Sequence, residues 1–316
     1  MAKQMAAGAR LATGKTPRAG SLRRREELTG YLFASPILVG LIGLAGYPVL
    51  AMIYYSFNDY NVIKPPYWIG GQNYSDLLTN DPQFWTSLAN TALYSAVAVP
   101  LGLVISLGLA LLLNQKLRGI GIFRAFVYLP SVVPTVAASI LWLWLLNPQY
   151  GVVNNLLASL GLTGPNWLGD PLWTKPALIL MSIWGIGPTV VIFLAGLQDV
   201  PEIMYEAAKI DGAGRLGRFR HITLPLITPT LFFNLVLGII GALQVFSQPY
   251  IFGNNGGGGP EDSILLYVVY LYSKAFRDFQ MGYASAMALI LFVLILALTL
   301  IVTATSRRWV YYEGQR

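Results

Sequence analysis

Groups that attack, shuttle protons or hold metals are scarce in this chain. It contains no cysteine, which excludes disulfides, thiolate metal sites and cysteine nucleophiles. The single histidine, His221, sits among arginines, and one imidazole without several nearby carboxylates does not build a metal site. Gly14-Lys15-Thr16 has the ending of a phosphate loop, but five residues separate Gly8 from Gly14 where the loop needs four, and no strand precedes it. With no nucleophile–base pair in view, the residues argue against catalysis, and any ATP hydrolysis belongs to a partner chain.

The polar groups that remain lie inside apolar stretches, where an amide or hydroxyl is costly unless it meets a partner or lines a wet cavity. Gln244, Ser247 and Gln248 recur at i, i+3 and i+4, on one helical face. Ser182 and Gly185 are spaced by three, one turn before a kink at Pro188. Together these five could line a midplane pocket. The competing reading is interhelical hydrogen bonding, worth roughly 1 kcal/mol per contact.

The densest polar run is Tyr205 to Pro225, between two long apolar segments. Pro201 followed by Glu202 and Glu206 predicts a short helix with its acids near the positive end of the dipole. Gly212 and Gly214 should end that helix. A second, basic piece with Arg215 and Arg218 should run from Leu216 and stop where Leu224-Pro225 enters the next apolar run.

Composition sets the elements that position these residues. Of 316 residues, 55% are hydrophobic and 11% charged, and mean hydropathy is +0.57. Soluble domains carry about 25% charged residues, so this is an all-α polytopic membrane protein. Six spans are predicted, near 31–56, 88–113, 123–146, 177–197, 226–250 and 283–305, with Pro130 and Pro134 kinking the third and Gly185, Gly187 and Pro188 interrupting the fourth. A polar, basic tail over 1–28 is read as disordered, 29–306 as one membrane domain containing the loop 198–225, and 307–316 as a second tail. The run Gly256 to Pro260 reads as a flexible outer loop, and 264–279 as an amphipathic aromatic segment near the external surface. The net charge of +7 does not indicate nucleic acid. Most Lys and Arg fall in the two tails, the 114–124 link and the 198–225 loop, leaving Lys64, Lys175, Lys274 and Arg277 on the other side. Positive residues stay cytoplasmic, so both termini are expected there.

Glu206-Ala207-Ala208, three residues, Gly212, nine residues and Ile222-Thr223-Leu224-Pro225 resemble the EAA loop of membrane subunits in binding-protein-dependent ABC importers. Tyr31-Leu32-Phe33-Ala34-Ser35-Pro36 and Arg307-Arg308-Trp309-Val310-Tyr311-Tyr312-Glu313 resemble the MalF/UgpA-type half of a carbohydrate importer. The resemblance implies a type I ABC importer (MetI-like) permease fold in a bacterial or archaeal plasma membrane. It implies coupling to an ATPase through Glu206, Ala207, Ala208, Asp211, Gly212, Arg215, Arg218, Leu224 and Pro225. A second homologous permease, two copies of the ATP-binding subunit and an extracytoplasmic solute-binding protein complete the implied assembly in the lipid. ATP and Mg would sit on the partner ATPase, with no cofactor on this chain.

Trp184 to Pro188 and the polar stretch from Gln244 resemble the sugar-holding parts of maltose-type permeases, although asparagines common there are absent here. That places Ser182, Gly185, Gln244 and Ser247 at sugar-contacting positions. Trp142, Trp144, Trp167 and Trp173 could stack on sugar rings, but interface anchoring is favoured. With Arg124 counted to the 114–124 link and no other Arg or Lys inside the expected spans, a neutral sugar is favoured over a phosphate ligand. Glycerol phosphate and polyol importers share these features. An ion-coupled secondary transporter is the other class considered, and it would usually need an intramembrane carboxylate, histidine or lysine, which these spans lack.

Overall fold

The structure, a computed structural model, describes residues 19–254 and 256–311. Its helices separate by contact into a unit ending at Met52 and a second from Ile53 onward. The first comprises α1 (Ala19–Gly40), a π-helical stretch (Leu41–Gly46) and the start of α2 (Tyr47–Ser56). Helix thus already covers 19–28, which the sequence assigned to a disordered tail. The rest of that tail, and residues 312–316 of the other, lie outside the described residues.

In the second unit the 57–87 connection between the first two apolar runs is structured. Asn58–Asp59 pairs antiparallel with Tyr67–Trp68, and α3 (Gln72–Thr79) follows. The next helix, α4 (Pro82–Leu113), starts six residues before the apolar run does. Asp81 explains the early start, because its carboxylate accepts the Phe84 N–H at 3.1 Å and Pro82 needs no partner for a missing N–H. The same carboxylate accepts the hydroxyls of Tyr270, at 2.6 Å, and Tyr283. Burial would raise the Asp81 pKa, but these two hydroxyls, the Phe84 N–H and the nearby Lys274 outweigh it and hold the group below its ordinary 3.8.

A depressed carboxylate stabilises the fold above its unfolded value, and that stabilisation fades as pH falls through the folded one. Asp81→Ala is therefore expected to cost about 2 kcal/mol, the sum of a lost cap and orphaned hydroxyls, with the ionic part discounted for partial exposure. Thermal unfolding in detergent at pH 7 checks it. The wild-type advantage over Asp81→Asn should shrink as pH drops below 3.8.

The third and fourth spans are more sharply broken than a proline kink implies. The arms of the third, α5 (Ile120–Tyr128) with the 3₁₀ turn Leu129–Val132, and α6 (Thr135–Leu145), meet at 99°. A short α7 (Val152–Ser159) precedes α8 (Pro171–Trp184) and α9 (Gly187–Gln198), which meet at 49°. Four helices are long and apolar enough to cross a membrane, or six if each bent pair is one span. The six expected spans fall on these four helices and the two bent pairs.

After α9 come α10 (Glu202–Ile210), α11 (Arg215–Arg218), α12 (Leu224–Leu226) and α13 (Thr228–Leu243). Then follow α14 (Ser247–Phe252), α15 (Tyr267–Tyr272) and α16 (Met281–Ser306). Two segments depart from expectation. The glycine run is packed, not free: Gly256 and Gly258 are buried, and the Ile264 N–H donates to the Gly258 carbonyl at 2.9 Å. Gly258 and Gly259 have φ of 75° and 73°, and a Cβ there would come within 2.5 Å of Asp262 and 2.6 Å of Ile264. Glycine here serves close packing.

The aromatic α15 lies in the core instead of at a surface. The buried Thr91 hydroxyl accepts the Tyr267 N–H at 2.8 Å, and the Tyr267 hydroxyl donates to the Met287 carbonyl at 2.8 Å. Once both polar ends of Tyr267 are satisfied, its ring can be buried without penalty.

Candidate functional site

Two regions concentrate the residues singled out in the sequence. The first is the polar run 201–225. α10 ends as a Schellman motif: the Ala213 N–H donates to the Ala208 carbonyl at 2.8 Å and the Gly212 N–H to that of Lys209 at 3.1 Å. This places Gly212 at the left-handed position, φ 77°, so Gly212 sets the turn between the two helical pieces.

Tyr205 and Ala208 are half-buried on the inner side of α10, and the Tyr205 hydroxyl lies 2.9 Å from Thr223 Oγ1. Tyr205 and Ile222 also pack against a core of Ala110, Val190, Phe193, Leu197 and Ile227. The outer side carries Ile203, Ala207 and Ile210 at i, i+4 and i+7, with Ile203 71% and Ile210 87% exposed. Leu216, 78% exposed, extends this apolar surface onto α11.

Glu206, Asp211 and Arg215 are exposed and Arg218 half-buried, with no ion pair among the described residues. Glu202 meets Lys116 at 3.1 Å on the open surface, a pair of little energetic weight. His221 Nδ1 lies 3.0 Å from the Gly217 carbonyl, in a local contact with no metal geometry.

Helix does not stop at Pro225. It continues through a π turn (Phe219–Thr223) into α12, where Pro225 occupies a first-turn position that requires no N–H, and on to α13. Leu224 and Pro225 are half-buried at this junction. A Cβ on Gly196 of α9 would lie 2.3 Å from Thr230 Oγ1 of α13. The two spans flanking the polar run are thus in close contact.

The second region is a cleft of about 240 Å³ between α4, α8, α9 and α13. Tyr94, Ser182, Thr189 and Asn234 supply its polar groups, and Gly238 and Gly241 its open wall. Asn234 is 3% exposed and its Nδ2 has no hydrogen-bond partner among the described residues. An orphaned buried amide costs about 1–3 kcal/mol, so this wall of the cleft is suited to a polar occupant. A neighbouring groove of about 430 Å³ is walled by Leu88, Leu235, Ile239 and Leu294 and has no such polar set.

Of the five path residues read from the sequence, Ser182 lines this cleft, while Gly185, Gln244, Ser247 and Gln248 lie outside its lining. The last three do not share one helix either. α13 ends at Leu243, Phe246 leaves helical geometry with φ −132°, and α14 begins at Ser247. Tyr94, Thr189 and Asn234 were missed. Asn234, Gly238 and Gly241 recur at i, i+4 and i+7, and that pattern was the available signal. Trp142 is buried, edge-on to Trp184 at 6.1 Å, and so serves neither as a lipid anchor nor as an open stacking face.

Comparison with known proteins places this geometry. Residues 98–311 match the family described as binding-protein-dependent transport system inner membrane component. The chain is 42% identical to a probable ABC transporter permease protein, YesP, of Bacillus subtilis, over 92% of this chain and 94% of that one. It is 36% identical to the trehalose/maltose transport system permease protein MalF of Thermococcus litoralis, over 90% and 96%. Among solved structures, a chain of a bacterial alginate ABC transporter in complex with an alginate pentasaccharide-bound periplasmic protein superposes with a TM-score of 0.79 at 25% identity, covering 92% of this chain and 98% of that one. The likeness bears out the expected type I importer fold. By family match, near full-length relatives and fold together, the chain belongs to the binding-protein-dependent transport system inner membrane components, as a multi-pass permease subunit of an ABC transporter and not an enzyme.

Proposed function

We propose that this chain forms half of the translocation path of a sugar importer and is driven by a separate ATPase docked on α10. The observation that carries the proposal is the exposed apolar face Ile203, Ala207 and Ile210 on a helix otherwise surrounded by charge, since contiguous exposed apolar surface marks a protein contact. Glu206 and Asp211 on one piece, and Arg215 and Arg218 on the next, supply complementary charge for orienting that contact. Gly212, Leu224 and Pro225 fix the angle at which the pieces leave α13.

ATP and Mg would be held by the ATPase, present in two copies, with a second homologous permease closing the path and an extracytoplasmic binding protein delivering the sugar. In this arrangement the polar run and both termini face the cytoplasm of a bacterial or archaeal cell, in keeping with their positive charge. ATP-driven closure moves α10, and the rigid α9–α13 pair transmits the motion to the Ser182–Asn234 cleft. Purification of the chain in mild detergent should recover an ATPase and a second permease. Recovery of a homo-oligomer alone, even with ATP added, would favour a secondary transporter.

The cleft is tested separately. A Cβ at Gly241 meets nothing within 4 Å, so Gly241→Leu should fold, fill part of the 240 Å³ space and lower sugar uptake at least about tenfold, the effect of losing roughly 1.4 kcal/mol of binding or barrier lowering. Unchanged uptake kinetics would place the path elsewhere. Gln244, Ser247 and Gln248, exposed or half-buried at the α13–α14 break, are then secondary path candidates, and Gln244→Ala should lower uptake without altering expression.

A further inference from the structure

The fourth span begins earlier than its apolar run. Asp170 caps α8 by accepting the Leu172 N–H at 2.9 Å, which brings Lys175 inside the helix. Lys175 is half-buried, and among the described residues it has no ion pair. Its neighbour Thr174 is pinned by a 2.8 Å hydroxyl contact to the buried Ser263, which holds this end of the helix in place.

Lys175, Ile179 and Ser182 recur at i, i+4 and i+7 on α8, and all three are half-buried along one stripe that ends before the bend into α9. Ser182 and Ile186 line the polar cleft, and seven residues of helix put Lys175 roughly 10 Å from Ser182, toward the end of the bundle away from α10. The cleft lining carries hydroxyls, of which Ser182 donates to the Ile179 carbonyl at 2.7 Å, the orphaned Asn234 Nδ2–H and no carboxylate. An ammonium without an ion pair, two turns from a polar cleft that holds no carboxylate, calls for a ligand with negative charge.

We propose that Lys175 is the charge-recognition residue at the mouth of this cleft. Its ligand is an acidic oligosaccharide whose carboxylate or sulfonate lies beside Lys175 while an adjoining sugar occupies the Ser182–Asn234 cleft. This rests on the importer reading above and replaces the neutral sugar favoured when the spans were expected to hold no cation. The alternative occupant is a lipid phosphate, to which a lysine near a helix end can snorkel.

The test is uptake by the assembled importer, with its ATPase, second permease and binding protein, in vesicles with and without phosphatidylglycerol. The probes are trigalacturonate and trimannuronate against neutral maltotriose and arabinotriose. Wild type should take up an acidic probe in preference to the neutral ones. Lys175→Gln should raise its KM about tenfold, the loss of one charge-assisted hydrogen bond, and Lys175→Arg should restore most of it. Recovery of the ATPase and the second permease with Lys175→Gln at the wild-type yield separates lost recognition from lost assembly.

Preference for the neutral probes, or an unchanged KM in Lys175→Gln, overturns the assignment and leaves the importer reading standing. A Lys175→Gln defect that appears only with phosphatidylglycerol present assigns the lysine to lipid and overturns it likewise. Failure to take up any of the four saccharides by a complex that still hydrolyses ATP overturns the assignment as well, whereas failure of the chain to recover an ATPase and a second permease removes the importer reading itself.

Discussion

Ile210→Glu is expected to strip the ATPase from the purified complex while leaving the chain itself folded. Ile210 is 87% exposed, so the change removes no internal packing and should not shift the unfolding temperature of the isolated chain. At a docked surface the same side chain is buried. Losing it forfeits roughly 1.5–3 kcal/mol of apolar burial, and a carboxylate in its place must be desolvated without a partner. A total near 3 kcal/mol weakens association on the order of a hundredfold, enough to lose the subunit on a column. Ile203→Glu, one face-turn back on the same stripe, should behave alike. Leu160→Glu, at a residue 75% exposed just past the end of α7, should leave association intact. Normal recovery of the ATPase with Ile210→Glu would show that α10 is not the docking element.

What could be read from the sequence divides by range. The α10 turn was legible because its cause is local: Gly212, Ala213, Ala208 and Lys209 form one Schellman motif within six residues, and glycine is the residue that such a turn selects. The six apolar runs were legible for the same reason. Contacts between distant segments were not. Asp81 meets Tyr270 and Tyr283 across 189 and 202 residues, and although Asp81-Pro82 is itself a local helix-start signal, nothing near it announces those two partners.

The aromatic run around Tyr267 looked like an interfacial segment because aromatic rings suit both an interface and a core. Only Thr91 and Met287 decide between them, by satisfying its polar ends. The stripe Gln244, Ser247 and Gln248 presumed a continuous helix, and the break at Phe246 separates it. Lys175 was placed in a connecting segment because hydropathy locates where a helix becomes apolar, whereas the Asp170 cap locates where it begins.

Gly212→Leu is expected to separate ATP hydrolysis from transport. At φ 77° a leucine pays about 1–2 kcal/mol in the left-handed region, and because a Cβ there meets nothing within 4 Å, the whole cost is conformational. The chain relieves it locally, by opening the Ala213-to-Ala208 and Gly212-to-Lys209 hydrogen bonds and letting α11 swing relative to α10. The surface around Ile203 and Ile210 lies before the turn and is untouched, so the ATPase should still co-purify and still hydrolyse ATP. The connection to α13 lies after the turn and loses its fixed angle, so uptake should fall by roughly 5- to 30-fold, the population factor that 1–2 kcal/mol commands. Gly212→Asn, whose side chain tolerates the left-handed region, should fall between the two. The ratio of sugar moved to ATP hydrolysed in proteoliposomes reads this directly. A Gly212→Leu importer with the wild-type ratio would mean that motion passes to α13 by another contact, with the Tyr205–Thr223 hydroxyl pair the first to examine.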